Sequence, residues 1–162
     1  MKQFDKNILD VIGNTPIIKL NKVATNVASS IYVKLEYLNP GGSIKDRMGV
    51  YLCEQAVKRG DLKPGGTIVE STSGNTGVGI ALFAAINHYK CVFVMADKQS
   101  QEKIDNLKSY GAKVLVCPTD VDPEDPRSYY SVAANLANLP NSVFLDQYGN
   151  MDNGQSHFEI IG

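Results

Sequence analysis

Lys45 lies in the run NPGGSIKDR, residues 39–47, directly behind a turn that Pro40, Gly41 and Gly42 make tight. A helical pattern starts at once, so the amine falls in a first helical turn, where free N–H groups already carry partial positive charge and mildly disfavour a cation. Its immediate neighbours, Asp46 and Arg47, fit a solvated surface lysine as well as a functional one. A second cluster, STSGNTG at 71–77, stands where a strand-like run ends and another helix begins. Ser71, Thr72, Ser73 and Asn75 crowd hydroxyls and an amide onto a Gly-flanked turn whose backbone N–H groups open at a helix N-terminus. That suits a carboxylate or a phosphate. No GK[ST] follows and GNTGVG does not fit GxGxxG, so nucleotide binding is disfavoured. The plainer alternative is a polar strand-to-helix turn.

The elements that must position these residues repeat from residue 67 onward as a short β-branched run followed by a helical pattern, the signature of a parallel α/β sheet. The expected strands are TIVE (67–70), CVFVMA (91–96), KVLVC (113–117) and SVFLD (142–146). Their near-continuous apolar character predicts cover on both faces. A helix over Ile44 to Lys58 places Ile44, Met48, Tyr51, Leu52 and Ala56 on one face, with Ser43 and Asp46 spaced as a capping box and Gly60 ending it. Ser100 reads as an N-cap, Gly111 as a helix stop, and Asp125 as the cap of a helix whose first position is Pro126. The connection PTDVDPEDP (118–126) reads as exposed, and NGQSHFEIIG as a terminal helix.

Composition limits the partners. With 162 residues, 43% of them apolar, the chain can build a real core. Sixteen basic against seventeen acidic residues, with no run of either sign, argue against a nucleic-acid groove or a polybasic membrane patch and leave small molecules as the expected ligands. The opening MKQFDKNILDVIG has no signal-peptide core and no stretch approaches a membrane span, so a cytoplasmic location is expected. Cys53, Cys91 and Cys117 form no CxxC pair and read as core thiols. His88, ending a helix, and His157 share no metal spacing, so no metal is assigned.

The pairing of GGSIKDR with TSGNTG, whose asparagine follows Lys45 by thirty positions, resembles the cysteine synthase and cystathionine β-synthase family of pyridoxal phosphate (PLP) enzymes. IGNTPIIKL (12–20), VKLEYLNPGG (33–42), LKPGGTIVE (62–70) and DQYGNMDNGQSHFEIIG (146–162) resemble successive segments of the same family, so the likeness spans nearly the whole chain. It implies a three-layer, tryptophan synthase β-like fold. Residues 1–46 and 151–162 would belong to the larger PLP domain, and 47–150 to a smaller domain with a four-stranded parallel sheet. Since the family's phosphate-holding loop lies past the position of Gly162, the fold is expected to be truncated.

Carried over by position, the cofactor lysine falls on Lys45 and the asparagine that bonds the cofactor ring hydroxyl on Asn75. The loop that grips the substrate carboxylate falls on Thr72, Ser73, Gly74 and Thr76, with Gln147 reaching in from the later segment. The acidic Pro-rich connection and the DQY at 146–148 resemble cystathionine β-synthases more than cysteine synthases, which makes Tyr148 the candidate for the second-substrate side. The implied reaction is β-replacement: serine with homocysteine to cystathionine, or alternatively O-acetylserine with sulfide to cysteine. A homodimer is implied for the family at full length. A reading of another class is a catalytically inactive fragment or binding domain.

Overall fold

The computed structural model describes residues 7–72 and 74–161. Two strands near the start, β1 (Ile17–Lys19) and β2 (Tyr32–Lys34), pair antiparallel with Ile18 opposite Val33. The main sheet is parallel and contains β3 (Thr67–Ser71), β4 (Lys90–Ala96), β5 (Lys113–Cys117) and β6 (Ser142–Phe144) in the order β5-β4-β3-β6. The helices are α1 (Lys45–Arg59), α2 (Asn75–Asn87), α3 (Gln101–Ser109), α4 (Tyr129–Leu136) and α5 (Asp152–Ile160). None of them is long and apolar enough to cross a membrane.

Strand order dictates the layers. The chain runs outward from β3 to β4 to β5, then returns across the sheet to lay β6 on the far side of β3. Right-handed crossovers in opposite directions put their helices on opposite faces. Accordingly, Ile80 of α2 and Leu107 of α3 share a core with Ile68, Phe93 and Met95, whereas Ala133 of α4 packs with Val69, Val94 and Cys117. Helix α2 is buried without interruption from Thr76 to Ala84 because α1 covers the side turned away from the sheet. The reversal of direction beside β3 is a topological switch point, the place where open parallel sheets bind ligands.

Helices α1 and α2 meet backbone to backbone. A Cβ on Gly79 would lie 2.6 Å from the Lys45 carbonyl oxygen, and one on Gly49 would lie 2.8 Å from the Ile80 nitrogen. Only glycine permits this approach, and it lays the start of α1 against α2 about one turn beyond Asn75.

Several local expectations change. The capping box at α1 does not close: Ser43 Oγ accepts the Lys45 N–H at 3.1 Å, but Asp46 turns back to the Gly41 N–H instead of that of Ser43. Asp125 does not cap α4. It closes on Arg127, accepting its N–H at 2.8 Å and pairing with its guanidinium at 2.7 Å, and Ser128 caps the helix by accepting the Ser131 N–H at 3.1 Å. Ser100 occupies the N-cap position of α3 without a side-chain cap bond. β6 ends at Phe144 rather than at 146, since Asp146 adopts φ 51° and folds residues 146–150 into a turn closed by the Gly149 and Asn150 N–H groups. β5 is an edge strand with Leu115 and Val116 exposed, so cover on both faces holds for β3 and β4 and not for β5. The three cysteines are buried free thiols, and burial pushes Cys53 up and Cys91 to about 12, which leaves them inert packing groups.

Candidate active site

Lys45 opens α1 half-buried, with its Nζ 3.2 Å from Met48 Sδ and no ion-pair partner among the described residues. The turn before it is clamped from two directions. Asn39 donates to the Glu36 carboxylate at 2.8 Å and to the Ser43 carbonyl at 3.1 Å, and its Oδ1 accepts the Gly13 N–H at 2.8 Å. Arg47, on the turn of α1 that follows Lys45, holds Glu36 with both ends of its guanidinium, at 2.8 and 3.0 Å. That fork, with burial opposing it and Thr15 and Asn39 adding hydrogen bonds, holds the Glu36 carboxyl down at about 2. Asp46 is wholly buried, and its Oδ1 has no hydrogen-bond partner among the described residues; burial raises its pKa. His157 of α5 is held below its ordinary value by burial and by the nearby Lys45 charge.

The second part of the site flanks the switch point. Thr72 follows β3, and its Oγ1 accepts the Gly74 and Gly77 N–H groups at 3.4 and 3.3 Å, which shapes the entry to α2. Thr76 donates to Gln147 Oε1 at 2.7 Å, while Gln147 Nε2 donates to the Ser71 carbonyl at 2.9 Å. Thr72, Thr76 and Gln147 are all buried, so a contact across seventy-one positions of sequence closes inside the protein. Asn75 stands exposed at the first position of α2, with Gly74 half-buried before it. Ser73, placed in the same loop by the sequence, lies outside the described residues.

Beneath Gln147 lies Glu70, fully buried at the end of β3, a residue that the motif analysis did not single out. Its oxygens accept the Gln147 N–H at 3.3 and 3.5 Å and face Nε2 at 3.5 Å. Burial pushes this carboxyl to about 8, against the pull of the Gln147 and Ser71 N–H groups and with a further push from Asp146. The only available signal was its position: a carboxylate inside a β-branched run has to be buried.

A cavity of about 180 Å³ opens at the same end of the sheet, walled by Ser71 at the end of β3 and Thr72 behind it, Lys98 and Gln99 after β4, and Tyr129 and Tyr148. Tyr148 reaches it with 70% of its surface exposed. Lys45 and Asn75 are not part of this wall. The structure therefore joins Thr72, Thr76 and Gln147 in one buried cluster, sets Tyr148 at the adjoining cavity, and holds Lys45 beside α2 through the Gly79 contact.

Residues 8–162 match the family described as pyridoxal-phosphate dependent enzyme. The chain is 47% identical over 156 residues to a cystathionine beta-synthase of Apis mellifera, covering 94% of this chain and 31% of that protein. It is 43% identical over 158 residues to cysteine synthase 1 of Neurospora crassa, covering 97% and 42% respectively. Among solved structures, the O-acetylserine dependent cystathionine beta-synthase from Helicobacter pylori superposes with a TM-score of 0.86 at 37% identity, covering 98% of this chain and 52% of that one. The chain thus spans about a third of the length of that cystathionine beta-synthase and about half of the solved Helicobacter pylori chain. With the family match extending over nearly every residue, the chain belongs to the pyridoxal-phosphate dependent enzyme family.

Proposed function

We propose that this chain is the cofactor-lysine part of a PLP-dependent β-replacement enzyme that joins L-serine to L-homocysteine, in the manner of a cystathionine β-synthase. The observation that supports it most directly is the position of Lys45. Its amine has a thioether and no carboxylate as neighbour among the described residues, and glycine packing holds it beside α2, whose N-terminus carries Thr72, Thr76 and, across the switch point, Gln147. An amine without an ion pair is available for covalent attachment of an aldehyde, and Asn75, exposed one turn away, can bond a ring hydroxyl. The residues fit the group.

Bound PLP supplies an electron sink for charge developing at the substrate α-carbon. The remaining steps fall to the protein. Lys45 Nζ would hold the cofactor, and its free amine would serve as the base for the α-proton. Thr72, Gly74, Thr76 and Gln147, with Ser73, hold the substrate carboxylate at a helix start whose N–H groups already favour an anion. The Gln147 N–H now turned toward Glu70 at 3.5 Å is the donor such a carboxylate would draw. Fixing the amino acid so that its α C–H faces the amine can contribute about 7–11 kcal/mol in favourable cases. In this reading residues 1–46 and 151–162 belong to the larger PLP domain and 47–150 to the smaller one, the protein works in the cytoplasm, and it assembles as a homodimer.

The test is spectroscopic and chemical. The protein with PLP should show the absorbance of a lysine-bound cofactor, and Lys45→Ala should lose it; retention in the variant would refute the assignment. Product analysis with serine plus homocysteine, against O-acetylserine plus sulfide, separates this activity from the cysteine synthase reaction that the Neurospora crassa relative favours.

A further inference from the structure

The cavity at the ends of β3 and β4 has a wall that the carboxylate loop does not explain. Ser71 and Thr72 form one side, but Lys98, Gln99 and Tyr129 come from elements that take no part in gripping the first substrate. Of the wall residues Lys98 is a cation and none is a carboxylate, and Lys98 has no ion-pair partner among the described residues. At about 180 Å³ the space is below the roughly 300–1,000 Å³ of drug-sized clefts, so it suits a molecule of amino-acid size.

We propose that this cavity receives the second substrate and that Lys98 is the specificity-determining residue that pairs with a carboxylate on it, selecting an amino-acid thiol over an inorganic one. The proposal rests on the β-replacement reading and names the substrate class of that site. Lys98 follows β4 in the turn before α3, and the Gln99 N–H in that turn is tied to the Ala96 carbonyl at 3.1 Å. Lys98 is exposed, and its backbone stands on a short connection from the central sheet and not on a long loop. Sulfide has no group for it to meet. An amino-acid thiol presents its carboxylate to Lys98 and lets Tyr129 and Tyr148 border its methylene chain.

The experiment compares the PLP-loaded protein with its Lys98→Gln variant. A charge pair made by an exposed lysine is modest, so KM for L-homocysteine should rise roughly fivefold, while KM for L-serine or O-acetyl-L-serine and turnover with sulfide stay unchanged. Added salt should raise KM for homocysteine in the unmodified protein and have less effect on the variant. Equilibrium dialysis gives an answer that does not depend on turnover: L-methionine, which keeps the carboxylate and has no free thiol, should bind the variant roughly fivefold more weakly, and L-serine should bind both alike. Equal methionine binding by the two proteins, or parallel losses for methionine and serine, would overturn the assignment of Lys98. Failure of the unmodified protein to turn over either thiol would instead refute the β-replacement reading, and dialysis would still report on Lys98.

Discussion

Glu70→Gln should remove a pH-dependent loss of stability. Glu70 is fully buried, and its carboxyl titrates near 8 in the folded protein against an ordinary value of 4.5. Between those values the folded chain retains a proton that the unfolded chain has released. The stabilisation is therefore complete below 4.5, falls as pH rises, and is gone above about 8. At about 1.4 kcal/mol per pH unit the full difference is about 5 kcal/mol, a large share of the ~5–15 kcal/mol that holds a domain together. Gln has the shape of the protonated acid and can accept the same Gln147 N–H, so it should match the native protein near pH 5 and exceed it near pH 9. Charges at Asp146, Tyr130, Tyr148 and Cys53 also act on or respond to this group, but their own titration largely cancels when the two proteins are compared at each pH. Urea midpoints for both proteins from pH 5 to 9 at fixed ionic strength measure the difference. A difference that stays constant across that range would refute the argument that Glu70 is a neutral, desolvated acid.

Other substitutions test the remaining contacts. Thr76→Val keeps the shape but strips the donor to the buried Gln147 amide; about 1–3 kcal/mol of stability should be lost in chemical denaturation, and KM for the amino acid should rise. Gly79→Ala drives a methyl group to 2.6 Å from the Lys45 carbonyl, and the resulting overpacking should cost about 1–3 kcal/mol and lower PLP occupancy, read from melting temperature and cofactor absorbance together. The Glu36 carboxyl, held down at about 2 by Arg47, contributes stability that is present above 4.5 and lost as pH falls toward 2. Glu36→Gln should therefore flatten the acid limb of the unfolding curve by about 2 kcal/mol, allowing for its partial exposure. Ser128→Ala should destabilise by about 1 kcal/mol through loss of the α4 cap, with Asp125→Ala much closer to neutral in the same melts.

What the sequence determined by itself were the features that depend on local pattern. β-branched runs, helical periodicity and the glycine turns placed four parallel strands and the helices between them, and the spacing of Lys45 from STSGNTG pointed to the family that the comparisons then showed. Cap assignment was weaker, because Asp125 and Ser128 both suit an N-cap and the choice turned on Arg127, which draws the Asp125 carboxylate away. Tertiary structure alone decided which ends of the sheet meet. The return of β6 to the far side of β3 brings Gln147 against Thr76, and no local preference encodes strand order. The same holds for Glu70 and for the tie of Arg47 and Asn39 to Glu36, since burial and hydrogen-bond partners exist only after distant segments pack. Lys45 shows both contributions: its type and neighbours marked it as a candidate, and the bare backbone contact at Gly79 sets it beside the α2 turn that the proposed chemistry requires.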